Sequence, residues 1–231
     1  MARNISVILP CYNEEKNIAK QISSVNSVLN KITDDYEIIV VNDGSTDDSK
    51  ALLEQLAQEN NKIKVVSHEK NLCYGATLKD GFKHAIKDLI FYTSMDNQYD
   101  FSQINTFLKY IDNNDIVIGY RVKRNDPLHR IFVAKVYNLT IRILFGLAVR
   151  DIDCAFKLFK KDVIQNLNIQ SRYSFIDAEI LIKAQRAGYP IKELAVKHYP
   201  RIWGSSTVGL KTIFLTLIEM IKVGRQFYRL F

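Results

Sequence analysis

The chain has 231 residues, of which 47% are hydrophobic and 25% are charged, and it carries a formal net charge of +7. This composition excludes a disordered or fibrous protein, and the length suffices for one domain with a large core. The excess of basic residues favours polyanionic partners, namely phosphates, nucleic acid or an anionic membrane surface.

The cysteines and the N-terminus limit the setting in which the protein works. Three cysteines lie far apart without a CxxC spacing, so they indicate neither a disulfide framework nor a zinc site and favour a reducing cytoplasm. The apolar stretch at 5–9 is too short for a signal peptide, and no uninterrupted apolar run reaches the roughly 18 residues of a membrane span. We therefore expect a soluble or peripheral protein.

The first half of the chain alternates between short apolar runs and segments with helical periodicity. Buried strands are predicted at 5–9, 37–41, 63–66 and 89–93. Helices are predicted between them at 18–29, after a cap at Ser45 or Thr46, and at 74–86. This alternation predicts an α/β fold, a Rossmann-like doubly wound, mostly parallel sheet with helices on both faces.

The second half is less regular. Strands are predicted at 115–119, 156–159 and 191–196, and helices at 130–145 and 178–187. We expect one compact domain over residues 1–206, followed by a helical tail over residues 207–231.

Polar side chains follow three of the predicted strands. In an open parallel sheet, ligands bind outside the carboxyl ends of the strands, so these residues are expected at one edge. Carboxylates such as Asp43 and Asp96, with the amide oxygen of Gln98, suit Mg²⁺ or Mn²⁺ holding a nucleotide diphosphate. The alternative is that they are loops and helix caps. The chain has no GxxxxGK[ST] and no GxGxxG motif, which disfavours a P-loop NTPase or a dinucleotide-binding protein.

Several segments, taken together and in order, resemble a known family. SVILPCYNEEKNI, EIIVVNDGSTDDS, NLCYGATLKDGFKHA and MDNQYD are similar to family-2 glycosyltransferases of the GT-A fold. The later segments VIGYR, DIDCAFKLFKKDVI, FIDAEILIKAQRAGYPIKELAV and HYPRIWGSS resemble the branch of dolichol-phosphate mannose synthases and polyprenyl-phosphate glycosyltransferases. The resemblance implies an inverting enzyme that uses Mg²⁺ or Mn²⁺. It would move a sugar from a GDP- or UDP-sugar to a dolichyl or undecaprenyl phosphate.

The resemblance also implies roles for individual residues. The donor is expected at Pro10, Tyr12, Glu14, Asp43 and Asp96, and the metal at Asp96 and Gln98. Donor or acceptor phosphates are expected at Arg121, Arg130, Arg201 and Lys211. The residues expected to carry catalysis are Asp96, Asp151 and Arg121. A guanidinium suits these phosphates because it forms paired hydrogen bonds with them.

The chain departs from the family's pattern at three positions. Ser94 stands where the DxDxQ motif has its first aspartate, Cys73 stands where a glycine is usual, and Thr207 replaces a lysine of the RxxGxSK motif. Lys211 lies one helical turn beyond Thr207 and could serve in its place. These differences bear on the metal dependence more than on the class of reaction.

The acceptor decides whether a general base is needed. A lipid phosphate is already ionised at neutral pH, whereas a sugar hydroxyl requires a base. Candidate carboxylates are Asp151, Asp153, Asp177 and Glu179, and Asp177 is expected to cap a helix rather than to catalyse. Among the histidines, His198 is expected near the donor phosphates, and His68, His84 and His129 at the surface. Trp203 could line the sugar, rest at a membrane interface or pack within its loop.

The tail combines an apolar helical stripe with basic residues. The stripe consists of Ile213, Phe214, Leu217, Ile218 and Ile221, and the charges are Lys211, Lys222, Arg225 and Arg229. This pattern favours a helix on an anionic membrane surface, and the alternative is packing on its own domain or on a second subunit. Relatives in this branch often carry transmembrane helices after this point. Because this sequence shows no apolar run long enough for such a helix, we expect a peripheral protein on the cytoplasmic membrane face. A separate membrane-protein partner is the other route to the lipid.

Two rival functions remain open at this stage. One keeps the nucleotide-sugar donor but glycosylates a hydroxyl, as in polysaccharide or glycolipid assembly. The other is a non-catalytic binding protein on the same fold, for which Ser94 is the best argument. A nucleic-acid binder is disfavoured because the basic residues are dispersed and no aromatic RNA-binding motif occurs.

Overall fold

The computed structural model describes residues 3–124, 127–204 and 209–228. Within them, seven strands form one sheet in the order β3-β2-β1-β4-β6-β5-β7. The strands are β1 Ile5–Cys11, β2 Tyr36–Asn42, β3 Ile63–Ser67, β4 Leu89–Thr93, β5 Ile116–Arg121, β6 Phe156–Lys160 and β7 Ile191–Val196. All pairs are parallel except those of β6, which runs antiparallel to β4 and to β5. The predicted α/β sheet, mostly parallel, is confirmed.

Helices cover both faces of this sheet. They are α1 Glu15–Leu29, α2 Ser49–Glu59, α3 Tyr74–His84, α4 Ile104–Leu108, α5 Leu128–Phe145, α6 Lys161–Asn166, α7 Ile176–Arg186 and α8 Leu210–Tyr228. Helices α1, α2 and α4 close one hydrophobic core, and α3, α5, α6, α7 and α8 close the other. Alternate strand residues enter the two cores, as with Val7 and Ile8 of β1, because successive side chains of a strand point to opposite faces.

One predicted helix start was wrong. Helix α2 begins at Ser49, and its capping residue is Asp48 rather than Ser45 or Thr46. Those two residues, which follow β2, instead form hydrogen bonds with Asn13 in the loop after β1. Ser45 Oγ accepts from the Asn13 backbone N–H at 2.9 Å, and the Thr46 N–H donates to Asn13 Oδ1 at 2.8 Å. The short polar side chains therefore tie two strand-end loops together.

The arrangement of β6 adds a further segment to the carboxyl edge of the parallel strands. Because β6 is antiparallel to β4, its first residue Phe156 pairs with the last residue of β4, Thr93. The segment before β6, which contains Asp151 and Asp153, consequently lies at the same edge as the loops that follow β1, β2, β4 and β5. Every strand-end cluster predicted to carry chemistry meets there.

Helix α8 packs on the domain through one of its sides. Thr216, Met220 and Val223 are buried, and the Glu219 carboxylate accepts from the backbone N–H groups of Arg172 and Tyr173, the former at 2.6 Å. In the described ranges, no helix is long and apolar enough to cross a membrane.

Candidate active site

The first group of charged side chains at the sheet edge is the Arg201 cluster, which we define as Glu14, Asp96 and Arg201. Arg201 Nη2 donates to Glu14 Oε1, and Arg201 Nη1 lies 3.6 Å from Asp96 Oδ2. The third guanidinium nitrogen of this arginine, Nε, donates to the backbone oxygen of Trp203 at 2.7 Å. The structure therefore brings together two residues predicted to bind the donor, Glu14 and Asp96, and one predicted to bind donor or acceptor phosphates, Arg201.

Asp96 uses its two oxygens differently. Oδ1 accepts from Ser94 Oγ at 2.5 Å and from the backbone N–H of Gln98 at 3.3 Å. Oδ2 faces Arg201. Ser94, which replaces an aspartate of the family motif, thus orients the remaining carboxylate by a hydrogen bond. The loop is also tied to the segment before Arg201, because Gln98 Nε2 donates to the Tyr199 backbone oxygen at 3.0 Å.

Glu14 is partly buried, and burial raises its pKa. The nearby charge of Asp96 also raises this pKa, whereas the hydrogen bond from Asn17 and the charge of Arg201 lower it. Asn17 Nδ2 donates to Glu14 Oε2 at 2.6 Å. Glu14 therefore depends on Arg201 and Asn17 to keep its negative charge near a second carboxylate.

Asp43 is buried and holds the loop between β3 and α3. Its Oδ1 accepts from the backbone N–H of Leu72 at 2.7 Å, and its Oδ2 accepts from that of Cys73 at 3.0 Å. Oδ1 also lies 2.7 Å from His68 Nδ1, whose ring Nε2 lies 2.9 Å from Asp80 Oδ2. The expectation of a surface position for His68 was wrong, because its side chain is only 8% exposed between these two carboxylates.

Two backbone features explain why this loop keeps its shape. Cys73, which occupies the position where the family has a glycine, adopts a φ of 78°, a conformation that glycine adopts freely. At Gly44 a Cβ atom would lie 2.5 Å from the backbone of Lys70, so the loops after β2 and β3 touch only because residue 44 is glycine. The predicted donor role of Asp43 remains a prediction.

The second group is the Arg121 pair, which we define as Arg121 and Asp151. Arg121 Nε donates to Asp151 Oδ2, and Nη2 donates to Oδ1, both at 2.6 Å. The Arg121 backbone N–H adds a third bond to Oδ2 at 3.2 Å. Burial alone would raise the pKa of Asp151, but the hydrogen bonds and charge of Arg121 outweigh it and lower that pKa. A carboxylate held in this way is a weak proton acceptor and a good support for the guanidinium.

A buried ion pair lies beneath the Arg121 pair and was missed at the level of sequence. Lys157 Nζ contacts Asp177 Oδ1 at 2.5 Å and donates to Tyr92 Oη at 2.7 Å and to the Cys154 backbone oxygen at 2.8 Å. The Tyr92 hydroxyl in turn donates to Asp177. The prediction that Asp177 caps a helix was wrong, because α7 has Phe175 as its capping residue and Asp177 points to Lys157.

The other two candidate bases differ from each other. Burial raises the pKa of Asp153 to about 6, helped by the negative charges of Asp177 and Asp151. Glu179 is buried with its oxygens accepting from the backbone of Gln170 and Ser171 and from Lys183, so it is a structural carboxylate. Of the two, only Asp153 has the pKa of a useful base near neutral pH.

The remaining predicted residues lie at or near the same edge. Pro10 and Tyr12 are half-buried at the end of β1, and Arg130 is half-buried in the first turn of α5. His198 is buried with its ring edge-to-face against Tyr99, with centroids 5.3 Å apart. His84 is exposed, as expected. Thr207, Arg229 and the side chains of Lys211 and His129 lie outside the described residues.

The described residues contain no group of three or more His, Cys, Asp or Glu side chains placed to hold a metal ion. They do offer one carboxylate oxygen, Asp96 Oδ2, that accepts no hydrogen bond closer than the 3.6 Å contact with Arg201, and the side chain of Gln98 beside it. Mg²⁺ and its analogues often bind through one or two carboxylates together with substrate phosphates. The donor set therefore fits a metal that binds with a nucleotide diphosphate.

A family model described as glycosyl transferase family 2 matches residues 6–167. The chain belongs to this family. The resemblance read from the motifs is thereby confirmed, and with it the assignment to the glycosyltransferases.

Curated relatives extend the similarity beyond the matched range. The chain is 30% identical to a dolichyl-phosphate beta-glucosyltransferase of Trichomonas vaginalis, over 98% of this chain and 74% of that protein. It is also 30% identical to an undecaprenyl-phosphate 4-deoxy-4-formamido-L-arabinose transferase of Salmonella choleraesuis, over 95% of this chain but 65% of that protein. This family-2 chain thus spans under two thirds of the second relative.

A solved structure supports the fold. Glucosyl-3-phosphoglycerate synthase from Mycobacterium tuberculosis, in complex with Mn²⁺, uridine diphosphate and glucosyl-3-phosphoglycerate, superimposes with a TM-score of 0.66. The match covers 97% of this chain and 77% of that one at 19% identity. The family-2 chain therefore has the GT-A fold predicted from its motifs.

Proposed function

We propose that this family-2 glycosyltransferase moves a sugar from a nucleotide-sugar donor to a polyprenyl phosphate. The observation that carries the proposal is the Arg121 pair at the sheet edge that also holds Asp96. Asp151 fixes the Arg121 guanidinium in one orientation through Nε and Nη2, and a guanidinium charge held in place in this way attracts and orients a phosphate. The two relatives compared above carry dolichyl phosphate and undecaprenyl phosphate in their names, which supports the same acceptor class.

The chemistry agrees with a phosphate acceptor. An ionised phosphate oxygen can displace the nucleotide diphosphate directly, so the protein must orient it and keep water away. Arg121 orients the acceptor phosphate, and Asp151 holds Arg121 rather than removing a proton, since its pKa is lowered. Direct displacement inverts the anomeric centre of the sugar.

The donor side is assigned to the Arg201 cluster. We assign the nucleoside to Pro10, Tyr12, Glu14 and Asp43, and Asp96 with Gln98 would hold Mg²⁺ or Mn²⁺. A bound divalent cation neutralises charge that builds on the departing diphosphate. Arg201 and Arg130 supply further positive charge to the phosphates. The donor is a UDP- or a GDP-sugar.

We further propose that the protein works at the cytoplasmic face of an anionic membrane, where the acceptor lipid resides. Helices α5 and α8 support this, since both present large apolar side chains to solvent. Phe132, Ile143 and Phe214 are 67%, 72% and 63% exposed. The two helices meet where Gly224 of α8 packs on the Phe145 ring of α5. The exposed basic residues on them are Lys135, Arg142, Lys222 and Arg225.

The charge balance on these helices favours a negative surface. Helix α5 contains no acidic residue, and the one acid of α8, Glu219, is engaged by the backbone of Arg172 and Tyr173. Apolar side chains flanked by uncompensated lysine and arginine are typical of helices that lie in the headgroup region of anionic leaflets.

One observation favours a second candidate function. Asp153 has a pKa of about 6 and could accept the proton of a sugar hydroxyl, so transfer to a hydroxyl acceptor is the alternative.

A paired acceptor assay separates the two functions. The protein is incubated with Mn²⁺, labelled UDP- or GDP-sugars, and either a polyprenyl phosphate or the polyprenol of the same chain length. We expect label on the lipid phosphate and none on the polyprenol. Transfer to the polyprenol or to a sugar hydroxyl, without transfer to the phosphate, would contradict the proposal.

A further inference from the structure

The Arg201 cluster places one guanidinium against two carboxylates. Arg201 contacts Glu14 through Nη2 and approaches Asp96 Oδ2 through Nη1 at 3.6 Å. The same oxygen of Asp96 is the one left available for a divalent cation, because Ser94 and Gln98 already donate to Oδ1. Arg201 and a metal ion therefore compete for one oxygen atom.

The segment around Arg201 is shaped for this contact. Gly204 adopts a φ of 77°, and a Cβ atom at this position would lie 2.7 Å from Arg201 Nη2. The Trp203 backbone oxygen accepts from Arg201 Nε, so the segment folds back on its own side chain. The positive φ and the close approach of the guanidinium both favour glycine at 204.

We propose that Arg201 is a displaceable cation that couples metal binding to nucleotide binding. Arg201 pairs with Glu14 and Asp96 while the donor site is empty. The guanidinium leaves Asp96 and pairs with phosphate oxygens when a divalent cation and a nucleotide diphosphate bind together. The proposal rests on the donor site of the proposed function and adds an order to its assembly.

The charges around Arg201 make the coupling between metal and nucleotide binding positive. A divalent cation that arrives alone meets the positive charge of Arg201 beside Asp96, and a diphosphate that arrives alone meets two carboxylates. When both are present, their charges compensate each other and Arg201 gains a phosphate partner. Each ligand therefore strengthens the other's binding, and by thermodynamic linkage the two effects are equal.

Arg201 is freer to change its partner than Arg121 is. Its side chain is 23% exposed, so water can take over part of its solvation as it moves. Arg121, which is 8% exposed and bonded three times to Asp151, has no comparable freedom.

Calorimetric titration of the whole chain tests the coupling without an activity measurement. Mn²⁺ alone, UDP or GDP alone, and each diphosphate with saturating Mn²⁺ are titrated into the wild type and Arg201→Gln. We expect Arg201→Gln to bind Mn²⁺ alone about tenfold more tightly, because a cation next to Asp96 is gone. We also expect the tightening of nucleotide binding by Mn²⁺ to fall about tenfold.

Two further variants control the experiment. Arg201→Lys keeps the charge and should leave Mn²⁺ binding near the wild-type value. Lys20→Gln removes a positive charge from the exposed side of α1 and should change neither titration. Thermal unfolding of each variant shows that it is folded before titration.

The titrations distinguish a failure of the coupling from a failure of the donor site. Equal or weaker binding of Mn²⁺ alone by Arg201→Gln, compared with the wild type, would overturn the coupling by Arg201. Wild-type protein that binds neither diphosphate in the presence of Mn²⁺ would instead overturn the donor site itself.

Discussion

Two arginines at the same sheet edge are held in opposite ways. Arg201 divides its guanidinium between two carboxylates and keeps 23% of its side chain exposed, whereas Arg121 forms a double hydrogen bond with Asp151 and is 8% exposed. Beneath Arg121, the Lys157–Asp177 ion pair ties β6 to α7 in the core. The Arg201 side of the site can therefore exchange partners, whereas the Arg121 side is held in place.

The largest effect is expected from removing Asp96, the carboxylate of the Arg201 cluster that is assigned to the metal. Asp96→Ala should lower turnover on the order of 10³-fold, because the charge on the leaving diphosphate loses its compensation. Steady-state transfer rates check this, with thermal unfolding to show an intact fold. Asp34→Ala, at an exposed aspartate that precedes β2, is the matched control and should turn over normally. If Asp96→Ala kept an activity near that of the wild type, the assignment of Asp96 to the metal site would be contradicted.

Breaking the Lys157–Asp177 ion pair beside the Arg121 pair should lower the free energy of unfolding. Lys157→Met leaves the Asp177 carboxylate buried without its cation, and such a loss destabilises by about 3–5 kcal/mol. Lys160→Met, on the same strand, removes a half-exposed pair with Asp115 and should cost below about 1 kcal/mol. Urea unfolding of both variants measures the difference. Equal losses would mean that Lys157 and Asp177 are not coupled in the core.

The protonation of Asp153 makes the stability of the folded protein depend on pH. Its pKa is raised from 3.8 to about 6 in the folded state, so the folded protein binds more protons than the unfolded chain between these values. Stability is therefore lost as pH rises through this window, and Asp153→Asn should be more stable than the wild type at pH 8 by about 3 kcal/mol. The difference should shrink as the pH is lowered toward 4. A difference that does not change with pH would contradict the raised pKa.

The smallest effect concerns the surface formed by α5 and α8. Phe132→Glu should weaken sedimentation with phosphatidylglycerol vesicles about tenfold, since one exposed aromatic side chain no longer enters the headgroup region. Ile86→Glu, at an exposed isoleucine after α3, is the matched control and should sediment like the wild type. Unchanged sedimentation of Phe132→Glu would place the membrane contact elsewhere.

The strands and their edge could be predicted from sequence because both depend on local patterns. Short β-branched runs locate buried strands, and the rule for parallel sheets then places the residues after each strand together. Helices α4 and α6 were missed, since five or six residues are too few to establish a helical period. The exposed side of α5 was missed too, because an apolar sequence alone does not show whether its side chains are covered.

The pairings within the site could not be predicted, because they join residues distant in the chain. Asp177 resembles a helix cap until Lys157, twenty residues earlier, is seen beside it. His68 resembles a surface histidine until Asp43 and Asp80 enclose it. Likewise, the motif containing Arg201 predicts a phosphate ligand but not the contacts of Arg201 with Glu14 and Asp96.

The kinetics of Asp151→Asn with a polyprenyl phosphate show whether Asp151 supports Arg121 or acts as a catalytic base. We predict that KM for the lipid phosphate rises about tenfold, with a smaller fall in kcat, because Arg121 loses its orientation. A fall in kcat on the order of 10³-fold at unchanged KM is expected of a base and would contradict a phosphate acceptor held by Arg121.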